Sequence, residues 1–266
     1  MQIITKMFRF ITYLYISFIL RKKKVLVICG MRRSGNHACI NWLLNSLEEM
    51  DTSFVELDGD RVSVSKSRKT LFFNEASFYR LRFFLGLLHS SKNSLSCAKN
   101  VIISLEDYTP DDEFSPYVPK GSTIIVVKRT PLNLIASRLQ RALNQAKNGK
   151  DRGDMSIDEI FFQRLHWINK QTDLESLVCW SFDEWLLDND DYRQKFLEKL
   201  GLHINLPPKI STHGGGSSFT GKERVPSTGE IQNRWNSIEW PERVLKLLKE
   251  NISLLNENEM NFLSEK

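Results

Sequence analysis

Between an apolar run, Val25 to Cys29, and a helical pattern starting near Asn36, the chain carries Gly30-Met31-Arg32-Arg33-Ser34-Gly35-Asn36-His37. A strand that enters a helix through such a loop leaves the first N–H groups of the helix unpaired. It also turns the positive end of the helix dipole toward whatever sits there. Gly30 and Gly35 allow the backbone angles and close approach the loop needs, and Arg32 and Arg33 add formal charge. The expected ligand carries phosphate or sulfate. Two further strand ends bear chemistry. Val101–Leu105 runs into Glu106-Asp107, placing carboxylates where open α/β sheets hold their sites, and only one of the two adjacent residues is expected to face the cleft. Thr123–Val127 runs into Lys128-Arg129-Thr130-Pro131 and a helix containing Ser137.

The Gly30-to-Gly35 spacing matches the first half of a Walker A loop, but Asn36-His37 stands where that motif requires Lys and then Ser or Thr. Ordinary nucleoside-triphosphate chemistry is therefore disfavoured. Arg33-Ser34-Gly35-Asn36-His37 instead resembles the 5′-phosphosulfate loop of PAPS-dependent sulfotransferases, with Asn36 and His37 departing from the family's usual hydroxyl residues. Arg129 and Ser137, eight residues apart with Pro131 in register, resemble the family's 3′-phosphate grip. A guanidinium fork at a strand end and a hydroxyl on the next helix can share one phosphate. Phe182-Asp183-Glu184-Trp185-Leu186 is similar to the family's Tyr-Glu-Asp-Leu segment, for which a bracing role is expected. The amphipathic helix Tyr192–Leu200, closed by Gly201-Leu202, is similar to its Phe-Leu-Gly helix end. A late loop, Thr212 to Lys222, precedes Trp235 as a cofactor-closing loop does in that family. These segments run in the family's order from Val25 to Trp235.

The resemblance implies sulfuryl transfer from PAPS to an acceptor hydroxyl without a metal. It implies cofactor contacts from Arg32, Arg33, Ser34, Gly35, Asn36, His37, Arg129, Ser137, Ser218 and Lys222, with Arg33 also neutralising charge on the leaving oxygen. Glu106 is the expected base and Asp107 its alternative, ranked ahead of His37, His89, His166 and His213. A carbohydrate or glycolipid is the expected acceptor. A nucleotide or sugar kinase and a non-catalytic nucleotide- or glycan-binding relative remain the rival readings.

The elements that must hold these residues read as α/β: three layers around a central, mainly parallel five-stranded sheet, P-loop-like. Its strands are the opening apolar run, Ser53–Leu57, Val101–Leu105, Thr123–Val127 and Ser176–Trp180. Arg61 to Leu95 reads as a basic elaboration, Ile157–Ile168 as a helix, and the chain from Pro241 as a last helical region. Residues 25–266 form one domain. Residues 1–24 form an apolar and basic segment, too short to span a bilayer, that either packs on the domain or makes peripheral membrane contact through residues 8–24. The excess of positive charge after that segment would keep the rest of even an anchored form on the cytoplasmic side.

Composition sets outer bounds. At 266 residues, with 41% hydrophobic and 26% charged residues, the chain can bury a substantial core and has the signature of neither disorder nor a membrane bundle. A net charge of +5 suits an anionic ligand but is too dispersed for nucleic acid. Cys29, Cys39, Cys97 and Cys179 are scattered, without metal spacing, and read as free thiols in a reducing compartment.

Overall fold

The computed structural model describes residues 18, 20–47, 62–64, 70–73, 99–107, 121–149, 156–174, 176–187, 189–202 and 227–266. The expected strand Ser53–Leu57, and Ser218, Lys222, His89, His213 and Cys97, lie outside these residues.

The chain is α/β. Strand β1 (Lys24–Gly30) leads into helix α1 (Asn36–Leu47), followed by the short strands β2 (Val62–Val64) and β3 (Thr70–Phe73). Strand β4 (Asn100–Glu106) comes next, then β5 (Thr123–Lys128) and helices α2 (Pro131–Lys147) and α3 (Glu159–Lys170). Strand β6 (Leu177–Ser181) continues directly into α4 (Phe182–Leu186) and α5 (Asp190–Lys199). The chain closes with α6 (Thr228–Gln232), a 3₁₀ turn at Arg234–Ser237, α7 (Glu242–Glu250) and α8 (Glu257–Ser264).

Among the described residues the sheet order is β2-β3-β4-β1-β5-β6: four of the five strands expected from sequence are in it, and β2 and β3 are two that were not expected. The parallel strands β4, β1, β5 and β6 form its body. On the β4 side it is extended by β3, which is parallel, and by β2, which is antiparallel to β3. That β3 was not expected has a local cause. Leu71-Phe72-Phe73 is too short a run to stand out inside a basic stretch, yet pairing with β4 makes it a strand.

Period-two alternation divides the core between the two faces of the sheet. On β5 and β6, Ile125, Val127, Val178 and Trp180 join Leu26, Ile28 and Ile102 against Ile40, Trp42 and Leu43 of α1 and Trp185 and Phe196 of α4 and α5. Val126 and Leu177 turn the other way, against Leu132 and Ile135 of α2, Phe161 and Leu165 of α3, and Val244, Leu248 and Leu263 of α7 and α8. Each helix thus presents one apolar stripe to one sheet face.

The topology picks out where a ligand belongs. The chain leaves β1 toward β3 on one side, whereas it leaves β4 toward β5 on the other, so the strand order reverses between β1 and β4. Open α/β sheets form their ligand crevice at the carboxyl ends of such a pair. The register sets Gly30 directly opposite Glu106, so the β1 loop and the Glu106-Asp107 pair share one edge.

Two carboxylates, one half-buried and one buried, brace the start of α2. Asp183 Oδ2 accepts from the Thr130 N–H at 2.7 Å, which is the bracing role expected for that segment. Glu259 of α8, fully buried, accepts from the Leu132 N–H at 2.7 Å and from the Asn256 N–H at 3.1 Å. Burial raises the Glu259 pKa. Cys29, Cys39 and Cys179 are free thiols. Among the described residues no helix is long and apolar enough to cross a membrane, and no group of three or more His, Cys, Asp or Glu side chains could hold a metal.

Candidate functional site

The loop after β1 is built tightly. A Cβ at Gly30 would collide with the Asn36 and Ser34 side chains and with Val127, and one at Gly35 would collide with the Phe182 ring. Gly35 also has φ +110°, a backbone angle L-residues avoid. Ser34 N–H closes a turn on the Met31 carbonyl at 3.0 Å, and Gly35 O accepts the first helical bonds, from Ala38 and Cys39. The N–H groups ahead of those two have no partner within the helix, as at any helix start.

Ser34 and Asn36, expected to contact a cofactor, are turned inward. The Ser34 hydroxyl donates to Asn36 Oδ1 at 3.0 Å. The Asn36 amide donates to Glu106 Oε1 at 3.2 Å and to the Gly30 and Met31 carbonyls at 3.3 and 3.4 Å. Asn36 therefore ties the loop to β4 while accepting from Ser34, a combination that the ammonium of a Walker A lysine, which has donors and no acceptor, could not supply.

The only two non-glycine residues with positive φ among the described residues are Arg33 (φ 76°) and Asp107 (φ 61°), and both lie here. Each costs on the order of 1 kcal/mol, less for aspartate, and the surrounding contacts hold it in place. Asp107 donates its N–H to Gly30 O at 2.9 Å. Its Oδ1 accepts from the Arg32 N–H at 2.9 Å and from Arg138 Nη1 at 2.8 Å, while Oδ2 lies 3.6 Å from Arg32 Nε. Arg138 also reaches the Ser156 carbonyl and covers the Phe161 ring.

Glu106 is held more loosely. Besides Asn36, it has His37 Nε2 at 3.8 Å and Arg32 Nε at 3.9 Å. Burial raises its pKa, against the lowering effects of Asn36 and Arg32. Both carboxylates line a cavity of about 310 Å³. The expectation that only one of them faces the cleft fails because alternation ends with the strand: the left-handed turn at Asp107 brings its side chain back to the same opening.

On the other side of the loop, the two segments expected to bind phosphate meet. Arg129 Nη1 donates to the Arg33 carbonyl at 2.6 Å, and Arg33 Nε reaches the Ser137 hydroxyl at 3.5 Å. Arg129 is 6% exposed and lies over the Phe182 ring, 4.8 Å from its centroid. Its Nε and Nη2 are buried with no hydrogen-bond partner among the described residues.

Arg234, which carried no assignment from sequence, completes this cluster. Buried Asn133 docks its segment onto α2, donating to the Gln232 carbonyl at 2.7 Å and accepting from the Arg234 N–H at 3.2 Å. Burial lowers the Arg129 pKa to about 10, with the Arg33 charge adding to the effect and Asp183 opposing it. Burial lowers Arg234 to about 9, reinforced by the charges of Arg129 and Arg33. Burial and the Arg141 charge likewise lower Arg33. The charges of Arg33, Arg129 and Arg234 thus lie near enough to oppose one another.

In Arg234 the sequence signal was only a lone arginine beside a tryptophan, and in Arg138 a helix residue just past Ser137. His166 stands apart from the site, bonded to Asn251 at 3.0 Å. A scan against protein-family models finds none that matches this chain, and a search of curated proteins finds no significant match.

Proposed function

We propose that the chain is a P-loop-like sulfotransferase that moves a sulfuryl group from PAPS to an acceptor hydroxyl. The observation that carries this reading is the meeting of Arg33, Arg129 and Ser137 beside the β1 loop, with two buried Arg129 donors unmatched among the described residues. Orphaned donors on a buried guanidinium cost several kcal/mol unless an anion supplies acceptors, so this chemistry fits a phosphate dianion.

Arg129 and Ser137 would hold the 3′-phosphate, joined by Arg234. The backbone of residues 32–37, with the helix N-terminus behind it and Arg32 and Arg33 beside it, would hold the 5′ end and neutralise charge there. When bound, PAPS supplies the sulfuryl group, whose bond to the acceptor oxygen forms as its bond to the 5′-phosphate oxygen breaks, leaving PAP. Glu106 takes the acceptor proton: it lines the cavity, and burial moves its pKa toward neutral, where a general base is most effective. Asp107, fixed by Arg138 and by the Arg32 N–H, positions the loop. Free thiols accord with a reducing, cytoplasmic setting.

Thermal shift tests the cofactor. PAP should raise Tm more than ADP or AMP does, by the equivalent of about 2.7 kcal/mol at a hundredfold excess over Kd. A larger shift with ATP and magnesium would make the chain a kinase. A PAP shift without sulfate transfer from PAPS to any acceptor pool would make it a binding protein.

A further inference from the structure

We propose that the cavity beside Glu106 is an acceptor subsite for a neutral, hydroxyl-rich ring, a sugar unit, in preference to a phenol, a lipid or an anionic sugar. What happens to a ring bound there rests on the sulfotransfer reading; that it binds does not.

The cavity, about 310 Å³, lies between the β1–β4 edge and the start of α3, at the small end of ligand pockets. Glu106, Asp107 and Arg32 form the part nearest the loop, while Asp158 and Arg164 belong to α3 and its cap. Arg33, Arg129 and Arg234 are not among its lining residues, so it is separate from the anion cluster yet shares Glu106's edge of the loop.

The charges nearest the loop answer one another. Asp107 is paired with Arg138 at 2.8 Å, and Arg32 lies between Asp107 and Glu106 at 3.6 and 3.9 Å. The Asp158 carboxylate is engaged in capping α3, accepting from the Phe161 N–H at 2.9 Å. A ligand with net charge would have to displace one member of a pair and leave the other uncompensated. A neutral polyol can instead exchange its hydroxyls for water against carboxylate oxygens and guanidinium nitrogens without disturbing any pair. An apolar ring or acyl chain would strand those same polar groups without water, which costs more than its own burial returns. Met31, Ile160 and Phe161 still provide apolar surface, as the C–H face of a pyranose requires, and Ile160 is 55% exposed at the edge of the cavity.

The test uses the full chain saturated with PAP and saturation-transfer NMR. The probes are the methyl glycosides of glucose, galactose and N-acetylglucosamine, with glucuronate and 4-nitrophenol as the anionic and aromatic probes. At least one neutral glycoside should receive saturation on its ring C–H protons and bind more tightly than either comparison probe. Ile160→Asp should weaken that glycoside about five-fold and Ile160→Ala about two-fold, the scale of losing part of one apolar contact. The PAP-induced Tm shift should be unchanged in both variants. Tighter binding of 4-nitrophenol or glucuronate, no glycoside binding, or indifference to both Ile160 variants would overturn the subsite. Glycoside binding that depends on Ile160 in a chain that ignores PAP would leave the subsite standing and remove the sulfotransfer reading instead.

Discussion

Two arginine groups flank the β1 loop, and they are wired in opposite ways. On the β4 side, Arg138 meets Asp107, the Ser156 carbonyl and the Phe161 ring, leaving only its Nε buried and unmatched among the described residues. On the β5 side, Arg129 spends one nitrogen on the Arg33 carbonyl, keeps two unmatched among the described residues, and stands against Arg33 and Arg234. Matched charge holds a fold together; like charges gathered in a dry place wait for a partner of opposite sign. The difference sets matched charge on one side of the loop against the charge proposed to hold an anion on the other.

The sharpest way to test this contrast is at the carboxylates. Glu106→Gln keeps shape and removes the proton acceptor, so turnover should fall about 10²- to 10⁴-fold at saturating PAPS and acceptor, with PAP affinity intact. Asp107→Asn should act chiefly on stability, read by urea denaturation, because it unbalances Arg138. If Asp107→Asn alone cripples turnover, the two roles are exchanged.

Next in size are the arginines themselves. Arg138→Met breaks a buried pair and should destabilise the fold by about 3–5 kcal/mol. Arg129→Met removes a buried charge two of whose donors are unmatched among the described residues. It should weaken PAP by about 2–3 kcal/mol, the scale for hydrogen bonds to charged groups, while leaving the stability of the unliganded chain unchanged or higher. Equal loss of stability in the two variants would erase the distinction between the clusters.

The smallest effect is a slope with pH. Burial raises the Glu106 pKa in the folded chain, so its contribution to stability is fully present below the ordinary glutamate value and is lost as pH rises through the raised one. Glu106→Gln lacks that loss and should gain in Tm relative to the parent chain between pH 4 and pH 8. Parallel Tm profiles would mean that the carboxyl is not perturbed.

What was legible in the sequence was contiguous. The β1 loop and the Arg129-to-Ser137 segment each fit within one strand-loop-helix unit, where spacing translates directly into geometry. Parallel strands β4, β5 and β6 declared themselves as unbroken apolar runs, and all three fall within a residue or so of their expected bounds. The rest depended on distance along the chain. Arg138 has its meaning from Asp107, 31 residues earlier, and Arg234 from Asn133, 101 residues earlier, and no local pattern marks either partnership. Asn36 looked like a defect in a phosphate loop because its partner, Glu106, stands 70 residues away on a strand whose adjacency to β1 is a property of the sheet. Asp107 was misjudged for the opposite reason: a rule of strands was applied one residue after the strand had ended.

The cap that Glu259 places on α2 sets an order of assembly. Leu132 and Glu259 are 127 residues apart, so a growing chain presents α2, with Arg129 before it and Ser137 within it, long before α8 exists. At ordinary translation rates the interval is on the order of ten seconds. Asp183 is made within that interval, 53 residues after Thr130, but the start of α2 lacks its Glu259 brace until the interval ends. The proposed anion grip is therefore completed only after Glu259 has been made, and a nascent chain short of residue 259 should fail to retain PAP although every residue assigned to touch it has already been made.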